Sequence, residues 1–144
     1  MTSAPHSPAA PVRRCDILII GAGPAGMAAA LAAAPSGAAI VLVDDNPAPG
    51  GQIWRDGPGA HLPPLARTHR ERLAAAPNVR VLTGTRVVGL GDGAQPGDAP
   101  ALLLEDGERG WTQHCGRLIL CTGARELLLP FPGWTLPGVT GAGG

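Results

Sequence analysis

Three glycines, Gly21, Gly23 and Gly26, stand at the spacing G-x-G-x-x-G in the stretch "DILIIGAGPAGMAAALAAAPSGAAIVLVDD", residues 16–45. An aspartate, Asp44, follows twenty-three positions after Gly21. These residue types suit the binding of a pyrophosphate and a ribose. Where a strand turns sharply into a helix, the first N–H groups of the helix have no partner and an anion can accept from them. Gly21 permits the turn, Gly23 lets the backbone approach the phosphates, and Gly26 lets the helix pack against the strand. Ala22, Pro24 and Ala25 complete the turn between them. Asp44, at the end of the second predicted strand, is placed to accept hydrogen bonds from both hydroxyls of an adenosine ribose, and its charge would repel a 2′-phosphate. Asp45 takes that role if the strand ends one residue later.

Such a site needs a strand, a helix and a second strand in close succession. "CDILIIGAG" is a short apolar run ending in glycine, as expected of a strand buried on both faces of a parallel sheet. Pro24 to Ala34 reads as a short helix with proline in its first turn and Pro35-Ser36-Gly37 closing it. "AAIVLVDD" is the second strand, so the three pieces form one right-handed βαβ unit. Residues 46–59 are a Gly/Pro loop. "LARTHRERLAAA" reads as an amphipathic helix with Leu65 and Leu73 on its apolar face. "NVRVLTGTRVVGLG" alternates, "GDGAQPGDAP" is a flexible turn, and "ALLLEDGERGWTQHC" resembles a hairpin of exposed strands. "GRLILCTGA" is a further buried strand ending in a glycine loop. The expected class is α/β: a Rossmann-like βαβ domain with a parallel central sheet plus a small antiparallel β-meander.

Composition excludes several other functions. The 144 residues carry zero net charge, so nothing suggests a nucleic acid or an anionic membrane as partner. No window approaches the ~20 apolar residues of a membrane span. The first fourteen residues, "MTSAPHSPAAPVRR", read as a disordered tail without the apolar core of a signal peptide. The three cysteines, Cys15, Cys115 and Cys121, form no CxxC pair, which argues for reduced thiols and a cytoplasmic compartment. If Cys115 and Cys121 share a strand they lie about 20 Å apart, beyond the reach of a disulfide. His6, His61, His69 and His114 have no metal-ligand spacing. Ser3, Ser7 and Ser36 form no nucleophile elbow. Trp54, Trp111 and Trp134 read as packing residues. No residue is assigned a catalytic role.

The residues after the fingerprint separate FAD from NAD, which the fingerprint alone does not. "DDNPAPGGQIWR", "GTRVVG" and "CTGA" follow in order, and together they resemble the two-dinucleotide-domain flavoproteins, the pyridine nucleotide–disulfide oxidoreductase fold. The resemblance implies FAD as cofactor. It places Gly50, Gly51 and Gln52 along the pyrophosphate and ribityl side, Val87 at the adenine, and Thr122 and Gly123 where the last strand returns to the cofactor. Arg55 is a candidate contact to the phosphates. "GGQIWR" with "TGARELLLPFPGWTLPGV" narrows the resemblance to the FAD/NAD-binding subunits of opine oxidases, hydrogen cyanide synthase and dye-linked proline or hydroxyproline dehydrogenases. That implies oxidation of the C–N bond of an amino acid or secondary amine, a small-molecule substrate, and other subunits of a hetero-oligomeric dehydrogenase as partners.

A second fingerprint, which would hold NAD(P), and a late segment closing the flavin domain are absent from these residues. The organisation expected is therefore a tail at 1–14, the N-terminal part of an FAD-binding domain at 15–124, and a crossover segment at 125–144, together an N-terminal piece of a longer protein. Two other readings stay open. One is an NAD-dependent dehydrogenase domain, which leaves "GGQIWR" and "CTGA" unexplained. The other is a nucleotide-binding module that works through a partner chain without catalysis.

Overall fold

The computed structural model describes residues 11–55, 61–91, 99–124 and 130–140. The chain opens with β1 (Val12–Ile20), α1 (Pro24–Ala33) and β2 (Ile40–Val43), the expected βαβ unit. α2 (Pro64–Ala75), β3 (Val79–Leu82), β4 (Arg86–Leu90), β5 (Ala101–Glu105) and β6 (Gly110–Leu120) follow. The strands form one six-stranded sheet in the order β3-β2-β1-β6-β5-β4. β3, β2, β1 and β6 run parallel, whereas β5 is antiparallel to both β6 and β4.

β1 begins at Val12 rather than Cys15, because Val12, Arg13 and Arg14 pair with Thr112, Gln113 and His114 of β6. The tail expected over 1–14 is therefore strand in its last three residues, and residues 1–10 lie outside the described part. The hairpin strand expected over Trp111 to Cys115 and the buried strand expected after it are one continuous eleven-residue strand. Its residues 110–114 pair with β5, and its residues 112–120 run alongside β1. The hairpin is not exposed: Leu102, Leu104, Trp111, Gln113 and Cys115 are buried. His114 accordingly sits within a strand, paired with Arg14 of β1 and Ala101 of β5.

Two clusters hold the sheet. Ile17, Ile19, Ile40 and Leu42 pack with Met27, Ala30 and Leu31 of α1 and Leu73 of α2, so both helices cover one face. The other face has no helix among the described residues. There Leu18 and Val43 cluster with Leu102, Leu104, Trp111 and Cys115, all strand residues. Leu18 and Leu118 share this face with Cys15 and Cys115, three residues earlier in each strand. The in–out alternation of a strand therefore slips in both β1 and β6, at Asp16 and Gly116. Asp16 marks the slip, since its N–H and that of Ile17 both donate to Ala39 O, at 2.9 and 3.1 Å.

α1 buries Gly26, Met27, Ala30 and Leu31, the spacing of one helical stripe. Gly37, at φ +74°, ends the 3₁₀ turn that follows α1. In α2 the buried positions are Ala66 and Leu73, while Leu65 is exposed. Leu65 and Leu73 do not share the apolar face, since eight residues turn the helix 80° beyond two full turns and seven leave it 20° short. Residues 130–140 form a run of turns that exposes Phe131, Trp134 and Leu136; 125–129 and 141–144, the rest of the segment expected to be a crossover, lie outside the described residues. Among the described residues no helix is long and apolar enough to cross a membrane.

Candidate nucleotide-binding site

The turn from β1 into α1 is built around backbone that no side chain could enter. Gly21 has φ +100°, and a Cβ there would stand 2.2 Å from the carbonyl oxygen of Cys121 at the end of β6. A Cβ on Gly26 would stand 1.8 Å from Gly21 O, so the first turn of α1 rests on the strand turn itself. Gly23 is different. It is the N-cap of α1 with an ordinary φ of −70°, and a Cβ there would meet only Gly51 Cα, at 3.9 Å. No side chain caps α1, its first turn holds no acidic residue, and Pro24 at its start has no N–H to offer. The positive end of the helix is left open toward the cleft, where an anion would be stabilised.

The second glycine loop closes on the first. Gly50 N–H donates to Ala22 O at 2.8 Å, and Trp54 N–H turns back to Gly50 O at 3.0 Å. Gly50 has φ +144°, and a Cβ there would collide with Trp54 O at 2.0 Å. Gly51 has φ +58°, and its Cβ would stand 3.0 Å from Gly23 Cα. The helix α2 braces this loop from behind: Arg70 donates to Pro49 O, and the His69 ring meets Trp54 edge-on with centroids 5.5 Å apart.

The two aspartates differ sharply. Asp44 is buried, with 6% of its surface exposed. Its Oδ2 accepts the Ala22 N–H at 2.5 Å, and its Oδ1 accepts the Asn46 backbone N–H at 2.9 Å and Asn46 Nδ2 at 2.7 Å. A carboxylate has about four lone-pair positions, and three of them are taken. Asp45 is exposed, and its Oδ1 accepts a long bond from Asn46 Nδ2 at 3.3 Å.

A cleft of about 590 Å³ runs between these loops and the ends of β4 and β6. Of the residues expected at the site, Gly21, Gly23, Pro24 and Ala25 line one wall, and Asp44, Asp45, Gly51 and Gln52 the next. Val87, Thr122 and Gly123 close the far side. Ala22, Gly26, Gly50 and Arg55 do not line it. The first three are buried in the framework behind the wall, and Arg55 is exposed with its guanidinium on Gln52.

Asn46, Ile53, Thr85 and Arg86 line the cleft although the sequence pattern did not single them out. Asn46, next to two carboxylates, was the legible one. Thr85 arrives only through the fold, its N–H bonding to Asp44 O at 2.9 Å. Arg86 is held at the rim by Glu105 across the β4–β5 pair, at 2.5 Å.

The described residues hold no metal centre: no group of three or more His, Cys, Asp or Glu among them could hold a metal ion. Cys15 and Cys115, a hundred positions apart, stand opposite each other in the β1–β6 pair, a proximity that motif spacing did not reveal. Burial first, then the neighbouring Cys115, pushes the Cys15 thiol up to about 11, against a smaller opposing effect of its hydrogen bond from Gln113. Burial also raises Cys115. Both thiols stay protonated at neutral pH and are poor nucleophiles.

The family model for pyridine nucleotide-disulphide oxidoreductases matches residues 15–142. Over 141 residues the chain is 40% identical to the alpha subunit of sarcosine oxidase from Rhizobium meliloti (strain 1021), covering 90% of this chain and 14% of the relative. It is 37% identical over 137 residues to the HcnB subunit of hydrogen cyanide synthase from Pseudomonas aeruginosa, covering 88% of this chain and 28% of the relative. An opine oxidase subunit from Agrobacterium tumefaciens (strain Ach5) is 38% identical over 144 residues, with 89% and 27% covered. The chain thus spans 14% to 28% of the length of these relatives. The crystal structure of L-proline dehydrogenase from P. horikoshii shares the fold, with a TM-score of 0.67 and 23% identity over 86% of this chain and 25% of that one. Thioredoxin reductase of Lactococcus lactis superposes with a TM-score of 0.61 at 30% identity, over 83% of this chain and 39% of that one.

Proposed function

Because the chain belongs to the pyridine nucleotide-disulphide oxidoreductase family, we propose that it is the FAD-binding portion of a flavin-dependent oxidoreductase. The observation that carries this reading is the backbone contact of Gly23 with Gly51 beside the uncapped start of α1, which opens into the cleft. One glycine loop alone suits any pyrophosphate. The second loop extends the same wall, as a longer dinucleotide requires.

The residues present fit that group. The turn at Gly21–Gly26 and the open end of α1 would hold the pyrophosphate, with Gly51 and Gln52 continuing toward the flavin half. Asp44, directly after the end of β2 and lining the cleft, would accept from the ribose hydroxyls through the lone-pair position that Ala22 and Asn46 leave free, with the exposed Asp45 beside it. Val87 would flank the adenine, and Thr122 and Gly123 would meet the cofactor from the end of β6. Bound FAD would supply hydride acceptance at its flavin ring, and the chain would bind and orient it.

For the whole protein we propose oxidation of the C–N bond of an amino acid or secondary amine. The relatives named for sarcosine and opines and the fold neighbour named for L-proline support that class. Several of those relatives are named as subunits, which supports assembly with other chains. Titrating the chain with FAD, NAD and ADP-ribose, by flavin fluorescence and calorimetry, tests the reading. FAD binding well above NAD supports it. NAD binding with no response to FAD overturns it in favour of a plain dehydrogenase domain.

A further inference from the structure

Helix α2 buries Ala66 and Leu73, and Arg70 stands between them on the same stripe, four residues after one and three before the other. A cation at a half-buried position of an apolar stripe is unfavourable unless its guanidinium meets an acceptor. It meets one in the loop after β2, where it donates to Pro49 O. It also lies directly behind Gly50, since a Cβ there would stand 3.2 Å from Arg70 Nη2. On the other side of Gly50 the same helix supports Trp54, whose ring meets that of His69 and whose N–H donates to Gly50 O at 3.0 Å. His69 is fixed in turn through Nδ1 to Leu65 O at 2.9 Å, about one helical turn back.

The loop carries this support forward to the phosphate turn. Gly50 N–H donates to Ala22 O at 2.8 Å, and Gly51 stands against Gly23 at the start of α1. Gly51 and Gln52 line the cleft, whereas Pro49, His69 and Arg70 do not. We propose that Arg70 is a positioning residue for the bound dinucleotide: through Pro49 O it holds the Gly50–Gly51 loop against the turn before α1, without touching the ligand. Its bond is to backbone, so it sets the separation of the two glycine loops. That loop continues toward the flavin half, whereas AMP ends at the first phosphate. Loss of the brace therefore acts on FAD and spares AMP. This rests on the reading that the cleft holds FAD.

The test titrates FAD and AMP into the wild-type chain, Arg70→Met and Arg70→Lys, with flavin fluorescence for FAD and NMR shifts for AMP. Methionine keeps a long apolar stem and removes the donors, whereas lysine keeps a charged donor. Arg70→Met is expected to weaken FAD about tenfold, as loss of a bond from a charged donor allows, and to leave AMP within about twofold. Arg70→Lys is expected to recover part of the FAD affinity. Equal losses on the two probes, no loss on either, or a lysine variant no better than the methionine one overturns the proposal. If Arg70→Met does not fold, Arg70→Lys carries the same comparison, with a smaller loss on FAD and none on AMP. Amide exchange reads the brace without a ligand. In Arg70→Met the Gly50 amide should exchange about tenfold faster than in the wild-type chain, while the amides of Leu18 and Leu42 keep their protection. Unchanged Gly50 protection overturns the brace. If the wild-type chain binds neither FAD nor AMP, the functional reading fails while the Gly50 amide still decides the role of Arg70.

Discussion

Gly51 and Gly23 meet backbone to backbone: a Cβ on Gly51 would stand 3.0 Å from the Cα of Gly23. Gly51 also has φ +58°, a conformation that costs other residues about 1–2 kcal/mol. Gly51→Ala should therefore push the two loops apart, lowering FAD affinity about tenfold or more and the melting temperature by several degrees. Calorimetric titration beside thermal unfolding checks it. Equal affinity would mean that the contact is incidental.

Gly21 and Gly23 should separate folding from binding. Gly21→Ala forces a Cβ to within 2.2 Å of Cys121 O and should destabilise the domain by about 2–4 kcal/mol. Gly23→Val has room in the fold, with only Gly51 Cα near at 3.9 Å, yet places its branches on the phosphate side. It should leave circular dichroism and unfolding close to wild type and abolish FAD binding. Retained affinity in Gly23→Val would show that the ligand does not cross that wall.

Asp45 is the exposed carboxylate of the pair, and a 2′-phosphate would meet its charge. Asp45→Asn should raise affinity for 2′-phospho-ADP-ribose relative to ADP-ribose, by about fivefold to fiftyfold. Competition of both compounds against FAD fluorescence reads the ratio. An unchanged ratio would leave Asp45 as a solvated strand end.

Leu104 and Trp111 are both buried in the cluster without helices, but their truncations should differ. Leu104→Ala removes packed methyl groups and should cost about 2–5 kcal/mol. Trp111 Nε1 is buried with no hydrogen-bond partner among the described residues, so Trp111→Phe loses area but also removes an unsatisfied donor. It should cost clearly less than Leu104→Ala in urea unfolding. The Arg13 guanidinium, 4.2 Å from the Trp111 ring centroid, keeps an aromatic face in that variant.

The thiol of Cys15 carries a pH dependence. Its pKa is raised from the ordinary value of 9.0 to about 11, so the unfolded chain releases this proton at lower pH than the folded one. Its contribution to stability is full below pH 9 and is lost as pH rises through about 11. Urea midpoints should fall between about pH 8.5 and 10.5, and less so in Cys15→Ser. At about pH 7.5, iodoacetamide should leave Cys15 and Cys115 unlabelled in the folded chain, as mass spectrometry of peptides would show.

The residue pattern by itself determined the βαβ unit and its sharp strand-to-helix turn, and the family resemblance pointed to the glycine pair after β2. These depend on local backbone conformation, which only glycine adopts readily at φ +100° (Gly21) and adopts more cheaply than other residues at φ +58° (Gly51), so the demand is written at the residue that meets it. What lay beyond the pattern was decided by contacts between distant segments. Gly116 reads as a break between two strands, yet pairing with β1 carries β6 straight through it, and the alternation slips where it does so. Cys15 and Cys115 become neighbours only through that register. Asp44 and Asp45 stand side by side in sequence, and only their spacing from Gly21 distinguishes them there. Tertiary structure separates them, because the buried N–H of Ala22, twenty-two residues away, needs an acceptor and Asp44 alone is turned inward to provide it.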